Sequence, residues 1–339
     1  MNSFEPHPLL HNPHAQTVAC AFWLRRFPRL PHGRPRLFET EPGTRIQGAC
    51  HWQMLPRECP TLVLVHGLEG SSDSGYMKGL AERAFAAGWN AIRLNQRNCG
   101  GTESLTPTLY NSGLSVDYRA VLLELTERDA LPAIFFVGYS MGGNLVLKMA
   151  GELAGAAPAE LQGVAAVCPA IELAACADAI AGPGNGFYLR HFVSGLKKRM
   201  RRKASLFPGM YDLSRLARVR TLREFDDVIT APYCGFRDAV DYYARSSALR
   251  VAGGIRVPTL VLTAQDDPFV PFSIFESAAV RTNPNVNIIA PELGGHCAFV
   301  SRFAGAERFW AEARVMEFCR NLANAAPTPV SSAIRSNPA

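Results

Sequence analysis

The chain has 339 residues, of which 48% are hydrophobic and 19% are charged, as in an ordinary globular protein with a sizeable core. No apolar run approaches the roughly 20 residues that cross a bilayer, and the first residues lack the basic and apolar regions of a secretory signal. The nine cysteines have no regular spacing, which favours a reduced, cytoplasmic protein over a disulfide framework. No His/Cys cluster has metal-ligand spacing, so we predict neither a metal nor a cofactor.

The net charge of +6 comes from one segment, Lys197 to Lys203, which holds six basic residues. Without these six, 29 basic residues balance 29 acidic ones, so the rest of the protein is not basic. Nucleic-acid binding would need a broader basic face with interleaved aromatic residues, which the sequence lacks. Two interpretations of the segment remain: the solvated face of a helix, or peripheral contact with an anionic membrane.

Short apolar runs alternate with helical patterns along most of the chain. Residues 36–52 favour one or two antiparallel edge strands. Later runs are continuous rather than alternating, which is typical of strands buried on both faces of a parallel sheet; they lie at 61–65, 90–94, 134–137, 163–167, 259–263 and 286–289. Helical stretches separate them, as at 76–87, 113–127 and 144–153. This alternation predicts an α/β protein with a mostly parallel, doubly wound sheet.

The domain organisation follows from where that alternation begins, breaks and ends. We predict an extended, loop-like segment at 1–35, one large domain at 36–324, and a disordered tail at 325–339. Within the domain, residues 171–250 hold helical segments and no convincing buried strand, which predicts a helical cap over the carboxyl edge of the sheet. Its larger apolar and aromatic residues would line a substrate site or form the cap's own core; they are Phe187, Tyr188, Phe192, Leu196, Phe207, Tyr211 and Phe225.

The motif that carries the chemistry is Gly138-Tyr139-Ser140-Met141-Gly142-Gly143, placed between an apolar strand and a helical run. A serine hydroxyl is a weak nucleophile, and a sharp strand-to-helix turn presents it away from competing backbone groups. Such a turn leaves no room for side chains at the flanking positions, hence the glycines. The following helix directs its positive dipole end at the site. The motif predicts Ser140 as a nucleophile.

An acid and a histidine are expected after the nucleophile, in that order. Asp266 and Asp267 follow the strand at 259–263, and we predict Asp267 as the acid because its spacing to Pro271 matches the common pattern. Asp266 is interpreted as a turn-capping carboxylate. His296, in a Gly-Gly-His-Cys loop after the strand at 286–289, is the predicted general base, since an imidazole takes up and returns protons near neutral pH.

An oxyanion site is predicted from two backbone N–H groups. One belongs to Met141, the residue after the nucleophile, and the other to Leu68, in the loop His66-Gly67-Leu68-Glu69-Gly70 that follows another strand. His66 itself is interpreted as a structural residue that hydrogen-bonds this loop.

With these residues identified, the chain resembles the YheT-like branch of the α/β-hydrolase superfamily. The marks of the resemblance, besides the motifs above, are Asn12-Pro-His-Ala-Gln-Thr17, Arg97-Asn-Cys-Gly-Gly101, Tyr110-Asn-Ser-Gly-Leu114, Leu222-Arg-Glu-Phe-Asp-Asp227 and Ala264-Gln-Asp-Asp-Pro-Phe269. The resemblance implies hydrolysis of carboxylic esters, with short- to medium-chain esters or monoacylglycerol-like lipids as substrates. The family loop usually reads Arg-Gly-Cys-Gly-Gly, and Asn98 replaces its first glycine; Asn tolerates a left-handed backbone best among the other residues. The sequence assigns no role to His14 or Gln16 beyond packing on the domain.

Other functions compete with an esterase. A thioesterase or an amidase would use the same triad and the same acyl chemistry, so the sequence does not distinguish them. A non-catalytic ligand-binding scaffold is a different class, because the fold alone does not fix function. The presence of serine, aspartate and histidine together favours an enzyme, since a scaffold needs none of them.

Overall fold

The computed structural model describes residues 3–325, without the side chain of Ala21, so most of the predicted tail lies outside the described residues. The strands are β1 Arg34–Glu41, β2 Thr44–His51, β3 Thr61–Val65, β4 Asn90–Leu94, β5 Ile134–Tyr139, β6 Leu161–Val167, β7 Thr259–Leu262 and β8 Val286–Ile289. The helices are α1 Pro13–Phe22, α2 Gly75–Ala86, α3 Ser115–Leu123, α4 Met141–Leu153, α5 Leu173–Ala181, α6 Gly186–Leu206, α7 Leu222–Phe225, α8 Ala231–Cys234, α9 Ala239–Ser246, α10 Ala278–Arg281 and α11 Trp310–Ala325.

The eight strands form one sheet in the order β1-β2-β4-β3-β5-β6-β7-β8. β1 pairs with β2 and β2 with β4 in antiparallel register, whereas all pairs from β4 to β8 are parallel. The prediction of a mostly parallel α/β sheet with antiparallel edge strands is confirmed. Because parallel strands all end at one edge, β5, β7 and β8 bring the residues that follow them to the same side of the molecule.

The central strands are mainly apolar because both of their faces are covered by helices. In β3, Val63 and Val65 belong to one apolar cluster, with α3 and α4. Leu62 and Leu64, on the opposite face of the same strand, belong to a second cluster with α2 and α11. All five residues of β3 are buried, which explains why the strand sequence shows no alternation.

The N-terminal segment departs from the prediction of an extended segment at 1–35, because residues 13–22 form helix α1. Asn12 caps this helix by accepting the backbone N–H groups of His14 and Ala15, and Pro13 occupies the first helical turn. Proline is suited to that position because its missing N–H would have no intrahelical partner there. The Asn-Pro pair is therefore a helix-start signal, which the surrounding prolines obscured.

Between β6 and β7 the described chain forms helices α5 to α9 and no strand. The longest of these, α6, buries Val193, Leu196, Met200 and Lys203, a spacing of three and four residues that places them on one face. Among residues 3–325, no helix is long and apolar enough to cross a membrane.

A buried ion pair supports the loop after β4. Arg97 donates to the Asp117 carboxylate on α3 through Nε and Nη2, at 2.7 and 2.5 Å, and each side chain is only 3% exposed. Asn98, the next residue, has a φ of +64°, so the left-handed backbone expected there is present. The loop thus joins the sheet edge to α3 through charged groups shielded from water.

We predict that Asp117→Ala lowers the free energy of unfolding by about 3 kcal/mol, because the buried Arg97 guanidinium keeps only one counter-charge, the half-exposed Glu41 carboxylate at 3.0 Å. Urea denaturation monitored by fluorescence measures the change. Glu5→Ala is the matched control: the ion pair between Glu5 and Arg302 is exposed, and its loss should cost no more than about 1 kcal/mol. An equal loss of unfolding free energy in the two variants would contradict a stabilising role for the buried Arg97–Asp117 pair.

Candidate active site

Ser140 lies at a strained turn between β5 and α4. Its φ of +52° and ψ of −116° are rarely adopted by residues other than glycine. The backbone groups of Ser140 are occupied, since its N–H donates to Val167 O at 2.9 Å and its carbonyl accepts the N–H of Asn144 at 3.0 Å. The side chain is half-buried and its Oγ has no hydrogen-bond partner among residues 3–325. The turn therefore presents a free hydroxyl at the sheet edge.

The glycines around Ser140 are required by close backbone approach. A Cβ at Gly138 would overlap the carbonyl oxygen of Gly142, and a Cβ at Gly142 would overlap that of Val65 in β3. Side chains at these positions would push α4 away from the sheet, and Ser140 with it.

His296 and Asp267 form a hydrogen-bonded pair. Nδ1 of His296 lies 2.8 Å from Oδ2 of Asp267, whose side chain is completely buried. The other carboxylate oxygen accepts the backbone N–H groups of Phe269 at 2.8 Å and Val270 at 3.1 Å. These donors fix the carboxylate, which in turn fixes the imidazole so that Nε2 is the free nitrogen.

Asp266 has a different environment from its neighbour. Its Oδ1 accepts the backbone N–H of Gly295 at 2.9 Å, and its Oδ2 is buried without a hydrogen-bond partner. Asp266 therefore holds the loop that carries His296, whereas Asp267 contacts the imidazole itself. This geometry supports the prediction of Asp267 as the acid over Asp266.

The pKa of His296 is raised well above its ordinary value of 6.5. Burial alone would lower this pKa, but the Asp267 carboxylate and the Cys297 sulfur outweigh burial by stabilising the imidazolium. Ser140 and His296 line the same cavity, and no hydrogen bond joins their side chains. Such contacts often tighten only when substrate is bound.

The two predicted oxyanion donors lie beside Ser140. Met141 is the first residue of α4, so its N–H has no intrahelical partner. Leu68 lies in the loop that touches the nucleophile, since a Cβ at the adjacent Gly67 would be 3.2 Å from Cβ of Ser140. The N–H of Gly67 is occupied by the Tyr76 hydroxyl at 3.1 Å, so Gly67 is not available as a donor, and the N–H of Leu68, the next residue, stays the predicted donor.

His66 is buried and structural, as the sequence suggests. Its Nδ1 lies 2.8 Å from Gly67 O, and its Nε2 accepts the N–H of Gln96 at 3.1 Å. Burial lowers the pKa of His66 to about 4, so the ring is neutral and links the loops after β3 and β4.

Helix α1 holds the loop of His296, a role that the sequence did not reveal. The Thr17 hydroxyl accepts the backbone N–H of His296 at 2.9 Å and donates to Pro13 O at 2.7 Å. The buried amide of Gln16 forms two hydrogen bonds of 3.0 Å with the backbone of Val300. The His14 ring stacks on Tyr188 of α6 with centroids 5.8 Å apart. The N-terminal motif therefore docks both the His296 loop and the helices between β6 and β7.

The cavity at Ser140 has a volume of about 500 Å³. Of the seven large residues predicted in the insertion, five line it: Phe187, Tyr188, Phe192, Leu196 and Phe225. The other two do not, because Tyr211 donates its hydroxyl to Pro107 O and Phe207 lies under the Lys203 ammonium. Further apolar lining comes from Leu173, Ile180 and Val270, so the space above Ser140 suits an acyl chain.

The basic segment is only partly a solvated helix face, which corrects the interpretation of Lys197 to Lys203 as one patch. Lys203 is buried and donates to Asn98 Oδ1 at 2.6 Å and Glu103 O at 2.7 Å; burial lowers its pKa to about 8. Arg199 donates to Glu69 at 2.9 Å, beside the predicted oxyanion loop. These two cations fasten α6 to the core, and Lys198, Arg201 and Arg202 are exposed.

The chain is similar to known proteins of one fold family. A model of the α/β hydrolase fold matches residues 60–303. The putative esterase YheT of Escherichia coli is 33% identical over 76% of this chain and 76% of its own. A monoacylglycerol lipase of Saccharomyces cerevisiae is 28% identical over 75% of this chain, a match that covers 57% of the lipase. The solved structure of the Pyrococcus furiosus esterase Pf2001 covers 85% of this chain and 92% of its own, with a TM-score of 0.56 at 16% identity.

The chain belongs to the α/β-hydrolase fold family, whose model spans most of the sheet and the site. Within that family it is a member of the YheT-like branch, as the resemblance in the sequence predicts. The reaction class predicted from that resemblance, carboxylic ester hydrolysis, is confirmed at this general level by relatives that are named a putative esterase and a monoacylglycerol lipase.

We predict that Asp267→Asn lowers kcat by about ten-thousandfold, because an amide favours the wrong tautomer of His296. Asp266→Asn should lower kcat far less. In the wild type, activity falls as the pH drops through the raised pKa of His296, since only the neutral ring accepts a proton; residual activity of Asp267→Asn should survive to lower pH. Steady-state kinetics from pH 5 to 9 measure both effects. A larger loss of kcat in Asp266→Asn than in Asp267→Asn would make Asp266 the acid instead of Asp267.

A second prediction concerns α1. Thr17→Val keeps the shape of the side chain but removes the acceptor for the His296 N–H, so we expect kcat to fall by about 10- to 100-fold through displacement of the base. Thr17→Ser keeps a hydroxyl and should retain most of the activity. Stopped assays on a soluble ester compare the two. Wild-type kcat in Thr17→Val would mean that α1 does not position His296.

Proposed function

We propose that this protein hydrolyses short- to medium-chain carboxylic esters or monoacylglycerol-like lipids through an acyl-enzyme on Ser140. The observation that carries the proposal is the free hydroxyl of Ser140 at a strained turn, in one cavity with an imidazole held by Asp267. The sequence relation to a monoacylglycerol lipase and the apolar lining of the cavity support the choice of substrate class.

In the first half of the reaction, Nε2 of His296 takes the proton of Ser140 as Oγ attacks the ester carbonyl carbon. The buried Asp267 stabilises the resulting imidazolium and holds its orientation. The negative charge that forms on the carbonyl oxygen is stabilised by the N–H groups of Met141 and Leu68. Collapse of the tetrahedral intermediate breaks the ester C–O bond, and the imidazolium protonates the departing alcohol.

In the second half, water replaces the alcohol beside His296. The imidazole takes a proton from this water, whose oxygen attacks the acyl carbon, and the same two N–H groups hold the second oxyanion. Ser140 leaves with the proton returned by His296, and the carboxylic acid is released.

We predict that Ser140→Ala loses on the order of a millionfold in kcat while remaining folded. Hydrolysis of p-nitrophenyl butyrate by the two proteins measures the loss, and circular dichroism checks the fold. Turnover above a few per cent of wild type in a preparation free of contaminating esterases would contradict Ser140 as the nucleophile and favour a ligand-binding scaffold.

We also propose that the exposed part of the basic segment contacts anionic membranes, where an ester lipid would be drawn from the surface. Each cation near such a surface contributes about 1 kcal/mol, so neutralising Lys198, Arg201 and Arg202 to Gln should weaken binding to phosphatidylserine vesicles by about 100-fold. Hydrolysis of soluble p-nitrophenyl acetate should not change, because Arg199 and Lys203 are kept.

A charge-matched control neutralises three exposed arginines elsewhere, Arg237, Arg281 and Arg320. This control should bind vesicles nearly as the wild type does. Co-sedimentation at low and high salt compares the three proteins. Equal binding by the wild type and the α6 variant would reduce the exposed cations to a solvated helix face.

A further inference from the structure

Beside the predicted triad the fold assembles a cluster of two thiols and an imidazole. Cys168 follows β6, and His296 and Cys297 lie in the loop after β8, yet one ligand atom from each lies within 4.8 Å of the other two. Both cysteines are buried, and Cys297 lines the cavity at Ser140. The sequence could not show this cluster, because more than a hundred residues separate its first member from the other two.

We propose that Cys168, His296 and Cys297 form a binding site for a thiophilic divalent cation such as Zn²⁺, and that its occupation inhibits the enzyme. Two thiolates and one imidazole are a donor set that zinc prefers, with Zn–S bonds of about 2.3 Å and Zn–N bonds of about 2.0 Å. In a tetrahedral site these lengths place the ligand atoms about 3.5–3.8 Å apart. The present separations, at most 4.8 Å, need only small side-chain rotations to reach those values.

The surroundings of the cluster match those of metal-binding residues. A metal-ligating histidine usually donates its other N–H to a carboxylate, and His296 does so toward Asp267 at 2.8 Å. The backbone N–H of Cys297 donates to Sγ of Cys168 at 3.2 Å, an interaction that stabilises negative charge on the sulfur. Without a cation, Sγ of Cys168 donates to Gly295 O at 3.8 Å and Sγ of Cys297 to Val167 O at 3.6 Å, so each thiol releases its proton to solvent when the cation binds.

The position of the site explains why binding would inhibit. With Nδ1 engaged by Asp267, the nitrogen left to ligate the cation is Nε2, the same atom that accepts the proton of Ser140 in the proposed mechanism. A cation on Nε2 removes the base without touching the nucleophile. Inhibition thus rests on the proposed function, whereas binding of the cation does not. Hard cations such as Mg²⁺ prefer oxygen ligands and should neither bind nor inhibit.

The binding test uses Co²⁺ as a spectroscopic stand-in for Zn²⁺ on the reduced full-length protein, without oxygen. Thiolate-to-cobalt charge-transfer absorption should appear at one equivalent and disappear when Zn²⁺ displaces the cobalt. Cys297→Ala and Cys168→Ala should each weaken cobalt binding by at least tenfold. Asp267→Asn should weaken it by about 10- to 100-fold through loss of the carboxylate behind the imidazole. Cys176→Ala is the matched control, because Cys176 is a buried thiol that lines the same cavity outside the cluster.

The same titration separates the two proposals. Ser140→Ala should bind cobalt as the wild type does, whatever its activity. In p-nitrophenyl butyrate hydrolysis, Zn²⁺ should inhibit the wild type and Cys176→Ala at the same concentration, Cys297→Ala only at concentrations at least tenfold higher, and chelator should restore activity. Absence of thiolate charge-transfer absorption, or equal zinc sensitivity in Cys297→Ala and the wild type, would overturn the site. Zinc binding without loss of turnover would instead count against His296 as the base.

Discussion

The close crossing of β5 and α4 at Ser140 is the constraint on which the rest of the site depends. Gly138 and Gly142 approach so nearly that a Cβ at either would overlap a backbone carbonyl. At this crossing Ser140 has a φ of +52°, and α4 begins with Met141, whose N–H has no intrahelical partner. The proposed nucleophile and one proposed oxyanion donor are therefore set by a single turn, before any residue from another strand is added.

The proposed base, His296, reaches that edge through support from several parts of the chain. Asp267 comes from the end of β7, His296 from the loop after β8, and Thr17 from α1 at the other end of the sequence. Gly295, with a φ of +59°, leaves room for Pro13 and Thr17 at the loop. His296 is held at two points: Asp267 contacts its imidazole, and Thr17 accepts its backbone N–H. These two contacts reduce the freedom that the side chain would have in an isolated loop. This explains why an N-terminal motif with no reactive group belongs to the site.

The sequence predicts the strands, and it singles out the three proposed catalytic residues, because the patterns that indicate them are local. Strands buried on both faces need continuous apolar runs, and a strained turn needs glycines at fixed positions, so both leave a readable pattern. Helix α1 also left a signal, the pair Asn12-Pro13, but neighbouring prolines favoured a loop. The sequence predicts helices in the insertion, whereas the packing of Tyr188 and Phe192 on Phe269 is a long-range contact that no local pattern encodes.

In the basic segment, the local sequence pattern predicts the wrong environment for some of the cations. Six cations in seven residues are typical of a solvated face, yet Lys203 continues the stripe of Val193, Leu196 and Met200 at helical spacing and is buried with them. Its partners, Asn98 and Glu103, are about a hundred residues earlier in the chain. The meeting of Cys168 with His296 is equally non-local. Long-range partners of this kind are fixed by the fold, so they become visible only when the sheet is assembled.

The central claim is that Ser140 is an activated nucleophile, and the most direct measurement is covalent labelling with a fluorophosphonate, followed by mass spectrometry of the digested protein. The proposed mechanism predicts one adduct per chain, located on Ser140, formed rapidly in the wild type and far more slowly in His296→Ala. Labelling at another residue, or labelling of Ser140 at the same rate without His296, would contradict it.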